Sequence, residues 1–223
     1  MNRQAQGVVL LLLGGAVVKA WWSDLFLRYV KPGLGPFLLV AGVILIAVGV
    51  LTLVAKESGH HHEPWVGWLL LLPVIGLLLV APPALGAYTA DRSGAIAVVP
   101  DSDYPTLPAG DPVAVGLLDY SSRAIYDDGR SLTGRQLRLA GFLTPGEDGG
   151  VMLARIVMTC CAADGRPIKV GLTGAPPSGT SWVRVTGVYS PRRGKDPVSG
   201  AEIAYVEVQS WEPIAEPERP YEQ

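Results

Sequence analysis

The hydrophobic pattern divides the chain sharply. Gly7 to Phe26, Pro36 to Ala55 and Trp65 to Leu85 are nearly unbroken apolar runs of about 20 residues each, the length that carries an α-helix across a hydrocarbon core. Trp21, Trp22, Trp65 and Trp68 stand at the ends of these runs, where amphipathic rings favour the membrane interface. Lys19 lies close enough to an end to extend its ammonium outward. The two later runs favour retention of the first as a span over its removal as a signal peptide. Pro73 reads as a tolerated kink in the third span.

Beyond Asp91 the pattern changes. Asp91 to Pro112 is rich in Gly, Pro, Ser and Asp and reads as a linker. Asp111 and Pro112 suit an N-cap and a first helical position, which predicts a short helix to about Tyr126. Five strands are predicted next: Gln136–Leu143, Val151–Cys161, Ile168–Leu172, Trp182–Tyr189 and Ile203–Trp211. Period-two alternation between Gly and Pro clusters is the signal. Leu137, Leu139 and Leu143 share one face; so do Val183, Val185 and Tyr189, and Val206 and Val208. Gly141 and Gly187 fall inside strands, where glycine often marks a bulge or a barrel corner. The predicted fold is a membrane-helical region with three spans over 1–90, a linker over 91–112, and a mostly β domain over 113–223. That domain is expected to be a five-stranded OB-like barrel with one short helix; a two-sheet sandwich is the competing arrangement.

Composition agrees with the division. Only 17% of residues are charged, against about a quarter in a typical soluble chain, and the deficit lies in the first third. Net charge is −2 with no recurring basic stripe, which excludes the electrostatic footprint of a nucleic-acid binder. No acid, His or Arg stands out inside the spans to line a solute path, so the chain is not expected to be a permease on its own. The positive-inside count leans towards a cytoplasmic C-terminal domain by a single charge.

Two groups of residues carry candidate chemistry. His60, His61 and His62 are all the histidines of the chain and lie beside Glu63 in the second loop. Imidazole is a ligand for zinc, nickel and copper, although consecutive histidines lack the spacing of a rigid structural site. A solvated polar loop is the plainer alternative. The only cysteines, Cys160 and Cys161, are adjacent. Neighbouring Cα atoms lie too close for a normal disulfide.

On an unbroken strand, Met152, Ala154, Ile156, Met158 and Cys160 would share an apolar face. Leu153, Arg155, Val157, Thr159 and Cys161 would share the other, more polar one. Cys160 is then expected in the core and Cys161 within reach of solvent. A metal role would use His60, His61, His62 and Cys161 for a divalent transition metal such as zinc. Arg155, Cys160, Cys161 and Asp164 form a possible functional motif. A thiol enzyme would need a base beside its cysteine, and no phosphate loop, zinc-protease helix or serine elbow is present; no enzyme is expected.

The sequence also resembles a family. Its apolar spans and histidine loop are followed by Leu132-Thr133-Gly134-Arg135, Gly141-Phe142, Arg155 with Cys161-Ala162-Ala163-Asp164, Trp182-Val183-Arg184-Val185-Thr186-Gly187 and Pro220-Tyr221. This arrangement resembles the subunit family of predicted two-component membrane permease complexes, whose soluble domain has no assigned function. Here the histidine loop is shorter than in that family. The resemblance implies a multi-pass cell-membrane protein with an extracytoplasmic C-terminal domain. It also implies that the chain is the accessory subunit of a separate multi-span permease, embedded in the lipid bilayer and without nucleic acid. A metal-binding module is the alternative function, and a membrane-tethered thiol enzyme the third.

Overall fold

A long apolar helix needs only a close partner to become a hairpin, and glycine provides the closeness. In the computed structural model, residues 3–55, 75–76, 84–146, 149–177 and 181–222 are described. They fall into two units, 1–84 and 85–223. In the first unit, α1 (Arg3–Trp22) and α2 (Gly35–Val54) each have 20 residues, or about 30 Å of helix. They are joined through two short 3₁₀ turns. Both are long and apolar enough to cross a membrane. The His60–His62 loop and nearly all of the third apolar run lie outside the described residues, so two of the three expected spans are seen, as helices of sufficient length and apolarity.

Gly7 and Gly14 on α1 face Gly49 and Gly42 on α2. A Cβ at Gly14 would lie 2.8 Å from the Gly42 carbonyl, and one at Gly49 would lie 3.1 Å from that of Gly7. The buried residues of α2 are Gly35, Gly42 and Gly49, spaced by seven. This seam is the small-residue packing that membrane helices use to approach. Gly15 lies off this seam and faces open space. Much of the rest of α2 is turned outward, with Phe37, Val40, Val43, Ile44, Val50 and Leu51 exposed.

The second unit begins with α3 (Ala87–Arg92). An extended strap leads from it to β1 (Val113–Ala114) and α4 (Leu117–Tyr126). The strands β2 (Leu137–Pro145), β3 (Val151–Val157), β4 (Arg166–Gly174), β5 (Trp182–Lys195), β6 (Glu202–Pro213) and β7 (Tyr221–Glu222) follow. The five long strands close into a barrel in the order β2-β5-β6-β4-β3, with β3 pairing back to β2. All pairs in the ring are antiparallel except β4 with β6. The five predicted strands are present and the competing sandwich is not.

Closure depends on β2, whose first part pairs with β5 through Phe142 and whose last part pairs with β3 from Phe142 onward. Gly141 sits at this switch, where a Cβ would lie 2.5 Å from the Ala154 carbonyl. Gly187 sits at a register shift between β5 and β6, where a Cβ would lie 2.2 Å from the Glu207 carbonyl. Both corners therefore require a residue without a side chain.

The barrel core contains Leu137, Leu139, Leu143, Leu153, Val170, Val183, Val185 and Val206, all fully buried. Leu117, Tyr120, Ala124 and Ile125 of α4 join it, and the Tyr120 hydroxyl donates to the Tyr205 carbonyl. The helix start expected at Asp111 is five residues early. The amides of Val113 and Val115 donate to Gln136 and Arg138 at the edge of β2 instead, so the chain is extended there.

Gly116 then precedes the helix without a side chain to cap it. Glu222 takes that role: its two carboxylate oxygens accept from the amides of Leu117 and Leu118, both at 2.7 Å. At the other end Arg193 donates to the carbonyls of Ala124 and Ile125. An anion at the amino end and a cation at the carboxyl end complement the free backbone groups and the dipole of the helix.

The stretch read as a linker is packed. Val98 and Leu107 belong to the core, and the strap is tied to α4 by Tyr126 donating to Val98, Ser122 to Val99 and Arg123 to Pro105. Lys169 also anchors it, donating to Ser93 at 3.1 Å and to Asp196 at 2.9 Å within a buried ion pair.

Candidate functional site

The two cysteines lie beyond the end of β3. That strand stops at Val157, and Met158 still donates to Glu222 of β7. The next two amides find no strand. Thr159 and Cys160 donate to the two carboxylate oxygens of Asp164, at 3.0 and 2.8 Å. The Asp164 amide donates back to Cys161 at 3.0 Å, and Ala162–Asp164 forms a 3₁₀ turn. A short acid accepting consecutive backbone donors competes directly with strand pairing. This is why the alternation fails here. Cys160 is exposed, not in the core as expected, and Cys161 is half-buried.

The turn gathers three potential ligands. The Sγ atoms of Cys160 and Cys161 are 3.6 Å apart, and with a carboxylate oxygen of Asp164 they lie within 4.8 Å of one another. The Asp164 carboxylate faces the Cys160 thiol. Hydrogen bonding to Asp164 first, and to Cys161 second, pushes the Cys160 thiol up to about 11. The same contact holds Asp164 below the usual carboxylate range, helped by the Cys160 amide. Cys160 is thus protonated near neutrality and a weak nucleophile.

Arg155, expected beside Cys161, turns elsewhere. Its guanidinium donates to the carbonyls of Arg219, Pro220 and Tyr221 and lies 3.7 Å from the Glu222 carboxylate. Arg155 and Glu222 border a cleft of about 550 Å³ beside Val99, Asp101 and Asp119. Both charges are engaged within the fold, so Arg155 acts as the clamp that fastens the C-terminal strand.

The face of β3 expected to be more polar points Leu153 into the barrel core. The opposite face, with Met152, Ala154, Ile156 and Met158, is also buried. α3 packs on β2, β3 and β4 and hides Ala90 completely. The structure therefore brings together Cys160, Cys161 and Asp164 and leaves Arg155 apart, while His60, His61 and His62 lie outside the described residues. The sequence reading missed Glu222, whose partners are about a hundred residues away; no local pattern marks it.

Residues 119–222, which take in most of α4 and every strand of the barrel, match the DUF1980 C-terminal domain, an uncharacterised domain family. No curated protein and no solved structure matches the chain.

Proposed function

We propose that the chain is a membrane-anchored accessory subunit of a permease complex, with a soluble OB-like barrel on the extracytoplasmic side. The observation that carries this reading is the helical hairpin. Its glycine seam is satisfied within the hairpin, and the outer surface of α2 is continuous aliphatic side chain. Such a surface suits lipid or another apolar helix. α2 contains no ionisable residue, and α1 has only Arg3 and Lys19, one near each end. A pair of this kind can hold a domain at a membrane and dock on a partner, but it offers no polar path for a solute.

The barrel supports the same role. Its order, with one parallel pair closing an antiparallel ring, is OB-like, and the fold by itself assigns no ligand. The test is purification of the tagged chain from its native membranes in mild detergent. A multi-span membrane protein at a fixed ratio is the expected companion. Recovery of the chain by itself, or only with copies of itself, would overturn the proposal.

A further inference from the structure

The turn after β3 has the geometry of a metal site that does not involve the histidine loop. Two sulfur ligands at about 2.3 Å from a tetrahedral zinc are separated by an edge of about 3.8 Å. The Sγ atoms of Cys160 and Cys161 are 3.6 Å apart, far from the bonding distance of a disulfide and close to that edge. The third corner is occupied by Asp164. Its two oxygens are already oriented by the amides of Thr159 and Cys160, and each keeps a lone pair free. Neighbouring residues of a regular strand point to opposite faces. The break in β3 is what turns both thiols towards one point.

We propose that Cys160, Cys161 and Asp164 form an open three-ligand site for a thiophilic divalent cation of the zinc and cadmium class. Two sulfurs and one carboxylate favour such ions over magnesium or calcium. Three protein ligands leave one tetrahedral position for water or for a ligand from another molecule. Cys160 is exposed, with Cys161 and Asp164 half-buried, so the ion can enter and leave from solvent. None of the three residues belongs to the barrel core. These features suit capture and hand-off, not a structural staple. The site stands on its own geometry and does not depend on the permease reading.

The test uses the reduced full chain in detergent, with Cd²⁺ as the probe. Binding is followed by the ultraviolet thiolate-to-cadmium charge-transfer band, and protection of each cysteine from maleimide is read by mass spectrometry. One Cd²⁺ per chain is expected, with both thiols protected, displacement by Zn²⁺ and no response to Mg²⁺. Asp164→Asn should raise the Kd by roughly tenfold or more. A chain with His60, His61 and His62 all changed to Gln should bind within about twofold of the unaltered one. Protection of one thiol or of neither in the unaltered chain would overturn the proposal without reliance on any variant. So would loss of the band in the histidine variant, or unchanged affinity in a folded Asp164→Asn chain.

Discussion

Replacing Asp196 by Asn converts its carboxylate into a near copy of the protonated acid, and the structure fixes what this should cost. Asp196 and Lys169 are both buried, with 2.9 Å between Oδ2 and Nζ. The other oxygen accepts from the amides of Val198 and Ser199 and from the Ser199 hydroxyl. Burial by itself would raise the carboxyl pKa. The Lys169 bond and the donors of Ser199 outweigh it and hold the carboxyl at about 2, against an ordinary 3.8.

A carboxyl whose pKa is lower in the folded state stabilises that state above its unfolded pKa, and the contribution fades as pH falls towards the folded one. The shift corresponds to about 2 kcal/mol at neutral pH. Asp196→Asn should therefore unfold more easily than the unaltered chain by about 2 kcal/mol at pH 7. That gap should shrink below about pH 4 and be mostly gone near pH 2. The assay is denaturant unfolding of the full chain in detergent, followed by the β-sheet circular dichroism signal across that pH range. Lys169→Met, which strands the carboxylate without its partner, should cost more, about 3–5 kcal/mol at pH 7. Equal stability of Asp196→Asn and the unaltered chain at pH 7, or a gap that persists undiminished to pH 2, would refute the reasoning.

Four further outcomes are expected. Glu222→Ala removes both acceptors at the start of α4 and the partner of Arg155; it should destabilise the barrel by about 1–3 kcal/mol in the same assay. Gly42→Leu would place a Cβ 2.9 Å from Val18 and 3.3 Å from the Gly14 carbonyl. It should spread α1 and α2, measurable between spin labels on the two helices, whereas Gly15→Leu enters open space and should leave the distance unchanged. On whole cells, a membrane-impermeant maleimide should reach Cys160 and Cys161, and reaction only after lysis would place the barrel in the cytoplasm. Asp164→Asn should speed the labelling of Cys160, since the carboxylate is the main group holding that thiol protonated.

Strands were legible in the sequence wherever one side faced the core and the other faced water. Val206 and Val208 are buried while Glu207 and Gln209 are exposed, and the simple alternation found β6. It misread β3, because α3 covers the side of that strand that does not face the barrel. With both sides buried, alternation no longer separates core from surface. The strap at 93–112 looked like a linker because Gly, Pro and Asp dominate it, yet Val98 and Leu107 suffice to dock it.

The candidate site was legible as a list of residue types but not as a geometry. Asp164 reaches back four and five residues to the amides of Cys160 and Thr159, and this contact turns an expected strand into a turn. The caps on α4 come from Arg193 and Glu222, far along the chain. Such long-range partners leave no local signal. The glycines of the two apolar runs stand in the sequence; what the structure adds is that Gly42 and Gly49 meet Gly14 and Gly7 of the same hairpin.

The claim of an accessory membrane subunit is tested most directly from α2 itself. A photo-crosslinking amino acid placed at Val43, Ile44 or Val50 points outward from the hairpin. After irradiation of native membranes, these positions should yield a crosslink to one multi-span protein. Adducts with lipid alone from every outward position, or only with copies of the same chain, would contradict the account.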